Sequence, residues 1–301
     1  MSVLSLLSRP NKSSVSAITG NTKERTDALS ICSLYQTYSG NNNMIKAAFF
    51  DLDGTLLSYQ IYQISPSTRR SLQLLRDMGI QVYLATGRHA VELDALPIDS
   101  LRFDGFITLN GQLCLDENRQ MLFGSPFPEK TASALIATFQ ERKLPLVLVE
   151  ESGLTLNYVN DTVRKAQADI NTPIPKIGLY DGQAIYQATT FASRDQDDYI
   201  RSILPPGCRA ARWSDHGVDL IMDSGGKISG VRYFLEREHI LPEEAIAFGD
   251  AENDMDMLEY VGIGVAMGNA QESIKRAADH VTTGVDDDGI EKALRYYGII
   301  R

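Results

Sequence analysis

The sequence predicts an α/β fold: a doubly wound, mostly parallel sheet interrupted by an inserted α+β cap domain. Three observations carry this. Short apolar runs bounded by Gly, Asp or Asn alternate with stretches of helical spacing from Met44 onward, the pattern of βαβ units. The rhythm breaks after Gly111 into closely spaced strand-like runs and later resumes. Several of the apolar runs end in Asp or Thr, as strands that border a ligand crevice do in open parallel sheets.

Taken in order, Ile45 to Phe50 is the first expected strand. Ser65-Pro66 supplies an N-cap followed by proline at the first helical position, and Leu72, Leu75 and Met78 form an apolar stripe that Gly79 ends. Gln81 to Ala85 is a second strand, Val91 to Leu96 a short helix, and Phe106 to Leu109 a third strand closing at Asn110-Gly111. Such units need right-handed crossovers and so give a parallel sheet. Leu113 to Leu115 and Met121 to Phe123 flank the polar turn 116–119 as a hairpin, and Ser125-Pro126 reads as a linker.

The insert is expected to begin with a helix from Glu129 to Arg142 and strands at Leu146 to Glu150 and Leu154 to Tyr158. A helix from Asp161 to Ile170, a strand from Ala184 to Phe191, a helix from Gln196 to Leu204 and a strand from Arg209 to Trp213 complete it. Val218 to Met222 is then expected to return the chain to the doubly wound sheet. A helix from Lys227 to Glu238, a strand at Ala245 to Phe248, a helix from Glu252 to Tyr260, a strand at Ile263 to Met267 and two closing helices follow. The expected division is a catalytic core of 44–124 with 213–301 and a cap of 125–212.

Residues 1–43 differ from the rest, being rich in Ser, Thr and Asn with no long apolar stretch. An organellar transit peptide is one reading of that composition. A disordered extension is the reading adopted, because Met44 stands directly before the first strand.

With 301 residues and 43% hydrophobic content, the chain can bury a sizeable core. Its formal net charge of -10 argues against a nucleic-acid partner, which would call for a basic patch. Cys32, Cys114 and Cys208 form no CxxC, so neither a disulfide framework nor a zinc site is expected, and a reducing cytoplasm fits. No apolar run approaches the roughly 18 residues of a membrane span. Oligomeric state is not legible.

Asp51 and Asp53 close the first strand two residues apart, so both carboxylates can face one side, and Gly54 lets the main chain turn sharply toward a ligand. Thr86 closes the second strand, while Asp250 and Asp254 lie about one helical turn apart after another. Crowded carboxylates about 4 Å apart repel by ~4 kcal/mol at an effective dielectric near 20, so a cation must sit among them. All-oxygen chemistry without His or Cys favours a hard ion, Mg²⁺ above others. Lys227, opening its helix, is the natural second cation.

Asp51-Leu-Asp-Gly-Thr-Leu-Leu, Ala85-Thr-Gly-Arg, Lys227 and Gly249-Asp-Ala-Glu-Asn-Asp-Met-Asp-Met-Leu resemble, in order, the four motifs of haloacid dehalogenase-like hydrolases. The resemblance covers about residues 44–301 and implies a Rossmann-like hydrolase core. The large insert, Gly264-Val-Ala-Met-Gly-Asn-Ala and Asp288-Gly-Ile look like the Cof-type branch of sugar phosphatases. One departure is Gly226-Lys-Ile where that branch often has Ser-Lys-Gly. The resemblance implies a phosphatase that acts on a small phosphorylated metabolite, with Asp51 as nucleophile and Asp53 as general acid and base. It further implies phosphate contacts from Gly54, Thr86, Gly87, Lys227 and Asn253. It assigns Mg²⁺ to Asp51, the main-chain carbonyl of Asp53, and Asp250, with Asp254 or Asn253 as outer support.

Arg88 and Asn110, at strand ends, fit substrate contacts and ordinary loop roles equally. His89, His216, His239 and His280 lack metal-like spacing and read as surface or packing residues, as do Trp213, Met255 and Met257. A phosphomutase or a dedicated sugar-phosphate phosphatase of a related branch is the nearest alternative, a non-catalytic sensor of a phosphorylated metabolite the next, and glycoside hydrolysis fits the two-residue spacing poorly. The insert's mixed polar groups lead us to expect hydroxyl-rich leaving groups, sugar phosphates above all, with flavin or pyridoxal phosphates next.

Overall fold

The computed structural model describes residues 44–98 and 101–301. The expected extension at 1–43, with Cys32, lies outside them. The first half of the chain runs β1 (Ala47–Asp51), α1 (Pro66–Asp77), β2 (Gln81–Ala85), β3 (Gly105–Thr108), β4 (Leu113–Asp116) and β5 (Met121–Gly124). It continues through α2 (Glu129–Glu141), β6 (Leu146–Glu150), β7 (Gly153–Leu156), α3 (Asp161–Asp169), β8 (Lys176–Ile177) and β9 (Ile185–Phe191). The rest is α4 (Asp197–Ile203), β10 (Cys208–Arg212), β11 (Gly217–Met222), α5 (Lys227–Arg237), β12 (Ala245–Gly249) and α6 (Met255–Tyr260). β13 (Ile263–Ala266), α7 (Glu272–Ala277), β14 (His280–Val281) and α8 (Gly289–Tyr296) close the chain.

Eight strands form the first sheet in the order β14-β13-β12-β1-β2-β3-β4-β5, parallel from β14 to β3 and antiparallel through the β3-β4-β5 meander. From β1 the chain winds outward through β2 and β3, and later from β12 through β13 and β14. The order therefore reverses between β1 and β12, and a crevice opens beyond the carboxyl ends of those two strands. Strand alternation sends Ala48 and Phe50 to one face with Leu72 and Leu75 of α1 and Leu294 of α8. It sends Ala47 and Phe49 to the other with Phe234 of α5, Leu258 of α6 and Ile274 of α7. Phe49 stacks on Tyr83 and Phe50 on Phe248, each pair with centroids 4.9 Å apart, which locks the central strands at the height where the site begins. Each such buried ring contributes roughly 1.5–3 kcal/mol.

The second sheet runs β10-β11-β9-β6-β7-β8 and is antiparallel except between β7 and β8. One face packs Leu146, Leu148, Val218 and Leu220 on Leu135 and Phe139 of α2 and Ile200 of α4. The opposite face carries Val147, Val149, Gln187, Thr189 and Asp219 toward a cavity.

One expectation is corrected here. The strand expected at Val218 to Met222 does not rejoin the doubly wound sheet; as β11 it lies between β10 and β9 in the second sheet, antiparallel to both. The turn after β10 explains this. Trp213 N donates to the Gly217 carbonyl at 3.2 Å, and Ser214 Oγ accepts from the amides of His216 and Gly217 at 3.1 and 2.9 Å, closing a hairpin. The return to the first sheet therefore comes at 223–226, not at residue 213. Two short strands, β8 and β14, were not anticipated, because two residues carry no periodicity.

Candidate active site

β1 delivers Asp51 to the crevice and β12 delivers Asp250, both buried. Gly54 turns the chain after β1 with φ +85°, and a Cβ there would lie 2.2 Å from Asp250 Oδ2, so only glycine lets the two strand ends approach. Its amide donates to the Leu57 carbonyl at 2.8 Å. Gly54 thus supplies room; the phosphate contact expected of its amide is already occupied internally.

Lys227 opens α5 and is 0% exposed, yet its ammonium meets two carboxylates: Asp51 Oδ1 at 2.5 Å and Asp254 Oδ1 at 2.6 Å. Asp254 Oδ2 accepts from the amides of Asp250 and Ala251, both at 3.0 Å. Both Asp254 oxygens are therefore engaged, which makes it a support that fixes Lys227 and the turn after β12. Asn269 Nδ2 bonds Asp250 Oδ2 at 3.2 Å and the Gly54 carbonyl at 2.8 Å. What remains without a hydrogen-bond partner is Asp51 Oδ2 and Asp250 Oδ1, both buried.

Oxygens of Asp51, Asp250 and Asp254 lie within 4.8 Å of one another. Three carboxylates against one ammonium leave excess negative charge in a buried place. Burial first, and the Asp254 charge second, push the Asp51 carboxyl up to about 7 despite Lys227; burial and the Asp51 charge push Asp250 up to about 9. The same carboxylates, led by Asp254, raise the Lys227 ammonium against the opposing effect of its burial. Two orphaned anionic oxygens in an all-oxygen setting fit a hard divalent cation such as Mg²⁺, whose charge would reverse this tendency to hold protons. The Asp53 carbonyl, the third expected ligand, accepts from Tyr59 Oη at 3.0 Å and keeps a second lone pair.

Asp53 forms a bidentate pair with Arg88, Nε to Oδ2 and Nη2 to Oδ1, each 2.7 Å. Arg88 also reaches into the insert, donating to Thr172 Oγ1 at 2.5 Å and to the Ile170 carbonyl at 3.3 Å. Arg88 lines the cavity as well. Thr86 is buried with its Oγ1 accepting from the Arg88 amide at 3.1 Å, and Gly87 lines the cavity beside it. Asn253 lines the same cavity, its Nδ2 donating to Asn110 Oδ1 at 3.0 Å.

Asn110 Nδ2 in turn donates to Gln187 Oε1 and Asp219 Oδ2, at 3.1 and 2.9 Å. Thr189 Oγ1 and Trp213 Nε1 donate to Asp219 Oδ1 at 2.8 and 3.1 Å. Burial raises the Asp219 carboxyl to about 7, against these donors. This network was missed from sequence, although its signal was present: Gln187, Thr189 and Asp219 are polar residues set at alternate positions in otherwise apolar runs. Trp213, expected to be packing, belongs to it. His89 is buried as expected, but it also caps the turn Ala90–Ala95 and places Nε2 3.0 Å from the Glu150 carbonyl of β6.

The profile of haloacid dehalogenase-like hydrolases matches residues 48–294. A putative phosphatase of Bacillus subtilis, YkrA, is 32% identical over 85% of this chain and 99% of its own length. Among solved structures, BT1666 from Bacteroides thetaiotaomicron, a phosphatase of this superfamily, superposes with TM-score 0.77 at 30% identity, covering 87% of this chain and 98% of BT1666. The subclass IIB sugar phosphatase BT4131 superposes with TM-score 0.76 at 32% identity, covering 85% of this chain and 100% of its own. With four motifs brought to one crevice and these likenesses across most of its length, the chain belongs to the haloacid dehalogenase-like hydrolases, as a phosphatase of the Cof-type branch.

Proposed function

We propose that this phosphatase is Mg²⁺-dependent, hydrolyses small phosphorylated metabolites, sugar phosphates foremost, and works through an aspartyl-phosphate on Asp51. The observation that carries the reading is Asp51 itself: one oxygen is held 2.5 Å from a fully buried ammonium, and the other is buried with no partner. An acid held that way is oriented, electrostatically supported and open to an electrophile.

Asp51 attacks phosphorus in line, and the bond from phosphorus to the ester oxygen breaks. Asp53 is held in the crevice by Arg88; as acid it must release one oxygen from that pair and take up a proton, which it gives to the leaving oxygen before taking one from the water that cleaves the aspartyl-phosphate. Lys227 and the groups around Thr86 hold the phosphoryl oxygens as charge redistributes. Asp250 Oδ1, the Asp53 carbonyl and the Asp51 oxygen that does not attack would hold the Mg²⁺, which supplies positive charge against the phosphate dianion. Residues of the second sheet line the same cavity as Asp51 and Asp53, which puts them beside the leaving group. A reducing cytoplasmic setting is part of the proposal; it is supported by Cys114 and Cys208, both free and buried, with thiols pushed up by burial to about 12 and about 11.

The test is release of inorganic phosphate from a panel of phosphate esters, with Mg²⁺ and with excess chelator, by the native chain and by Asp51→Asn. Turnover by Asp51→Asn above a tenth of the native rate, or full activity in chelator, would refute the proposal. An isomeric sugar phosphate in place of free phosphate would convert it to a phosphomutase.

A further inference from the structure

One cavity of about 110 Å³ runs from Asp51 and Asp53 to the second sheet, so the phosphate site and the space beside it are continuous. Its wall is more apolar than the sequence suggested, with Val147, Val149, Leu154 and Phe191 facing it. The polar groups on the same wall, Gln187, Thr189 and Asp219, are bonded to one another or to Asn110. Gln167 differs. It sits on α3, is 6% exposed and lines the cavity, and its Oε1 is buried with no hydrogen-bond partner. A buried carboxamide oxygen left unmatched is costly, so an unpartnered one bordering a cavity marks the place of a ligand's donor.

Resting on the phosphatase reading, we propose that Gln167 is a specificity-determining residue, its Oε1 accepting a hydrogen bond from a hydroxyl or amine on the leaving group. The leaving group it selects has an apolar face laid on Val147, Val149 and Phe191 and a donor directed at α3. Val163 and Ala166 of α3 are buried beside Gln167, which gives the amide a fixed base. The position is distinct from the chemistry, since Asp51 and Asp53 stand at the end of β1 and Lys227 opens α5.

The test uses full-length protein with Mg²⁺ and three variants, Gln167→Leu, Gln167→Glu and Asp51→Asn. Substrates are p-nitrophenyl phosphate and pairs of hexose and pentose phosphates matched with their deoxy analogues. Native protein is expected to favour the hydroxylated member of at least one pair by about tenfold or more in kcat/KM, the worth of one buried hydrogen bond. Gln167→Leu should erase that preference while leaving p-nitrophenyl phosphate within about twofold. Gln167→Glu, which keeps an acceptor in the same volume, should retain it. No discrimination by the native protein, an unchanged preference in Gln167→Leu, or an equal loss on every ester would each overturn the inference. If Gln167→Leu fails to fold, Gln167→Glu decides alone: loss of the preference overturns it and retention supports it. Absence of any Asp51-dependent phosphate release from p-nitrophenyl phosphate would instead sink the phosphatase reading beneath it.

Discussion

Lys227→Met keeps most of the buried stem and removes only the ammonium, so it isolates what that charge does. Lys227 holds Asp51 and Asp254 at 2.5 and 2.6 Å with no exposure to water, and both carboxylates lose their cation at once. Breaking one buried ion pair from one side costs about 3–5 kcal/mol. With two carboxylates orphaned, the upper part of that range is expected where both would be ionised. At ~2–4 °C per kcal/mol for a chain of this size, the melting temperature of metal-free protein should fall by about 10–20 °C at pH 8. The loss should shrink at pH 5. Asp51 already holds its proton there, its carboxyl being raised to about 7, and a neutral acid needs no cation. Differential scanning calorimetry in chelator at the two pH values reads both effects. Removing Lys227 also pushes the Asp51 carboxyl higher still, so phosphate release at pH 7 should fall by at least about 10²-fold. A melting loss below about 2 °C at pH 8, or one equal at pH 5 and pH 8, would show that Lys227 acts by packing and that the charge argument is wrong.

Asp51 and Asp250 are raised above their ordinary range in the folded protein, so without metal their contribution to stability is present in acid and lost as pH rises through about 7 and about 9. Mg²⁺ should therefore raise the melting temperature more at pH 8 than at pH 5; an equal shift at both would place the ion elsewhere. Gly54→Ala forces a Cβ to within 2.2 Å of Asp250 Oδ2 at φ +85°, so it should weaken Mg²⁺ binding by about tenfold or more in titration calorimetry, and unchanged affinity would deny Gly54 its spacing role. Asp53→Asn should slow turnover by about 10²–10⁴-fold, since proton transfer is worth that much. An unchanged rate would assign the acid to another group.

Strands of both sheets are legible in the sequence. Gln81–Ala85 and Leu146–Glu150 fall where apolar runs and turn residues put them, and Ser65 caps α1 through its Oγ as the Ser-Pro pair implied. Local periodicity suffices there because each run is bounded by residues that can do little else. The proposed catalytic set is legible for a different reason. The proposed nucleophile, its acid and a lysine, at strand and helix ends, are tied to short stretches of backbone, so order along the chain carries them.

Neighbours across the sheet are not written in a run of five apolar residues. Val218 to Met222 reads equally as a returning parallel strand or as the second arm of a hairpin, and only pairing with β10 and β9 chose between them. That choice carries Asp219 from the core to the roof of the cavity, where Asn110, Thr189 and Trp213 meet it from distant parts of the chain. The ion pair from Arg88 to Asp53, with its reach to Thr172, and the unpartnered Oε1 of Gln167 are likewise products of packing. The sequence alone determined which residues stand at the strand and helix ends, Asp51, Asp53 and Lys227 among them, because covalent order and local backbone geometry put them there. The shape and polarity offered to the leaving group were set only by the tertiary structure, because hydrogen bonds and burial depend on groups that meet solely when the two sheets close on one another.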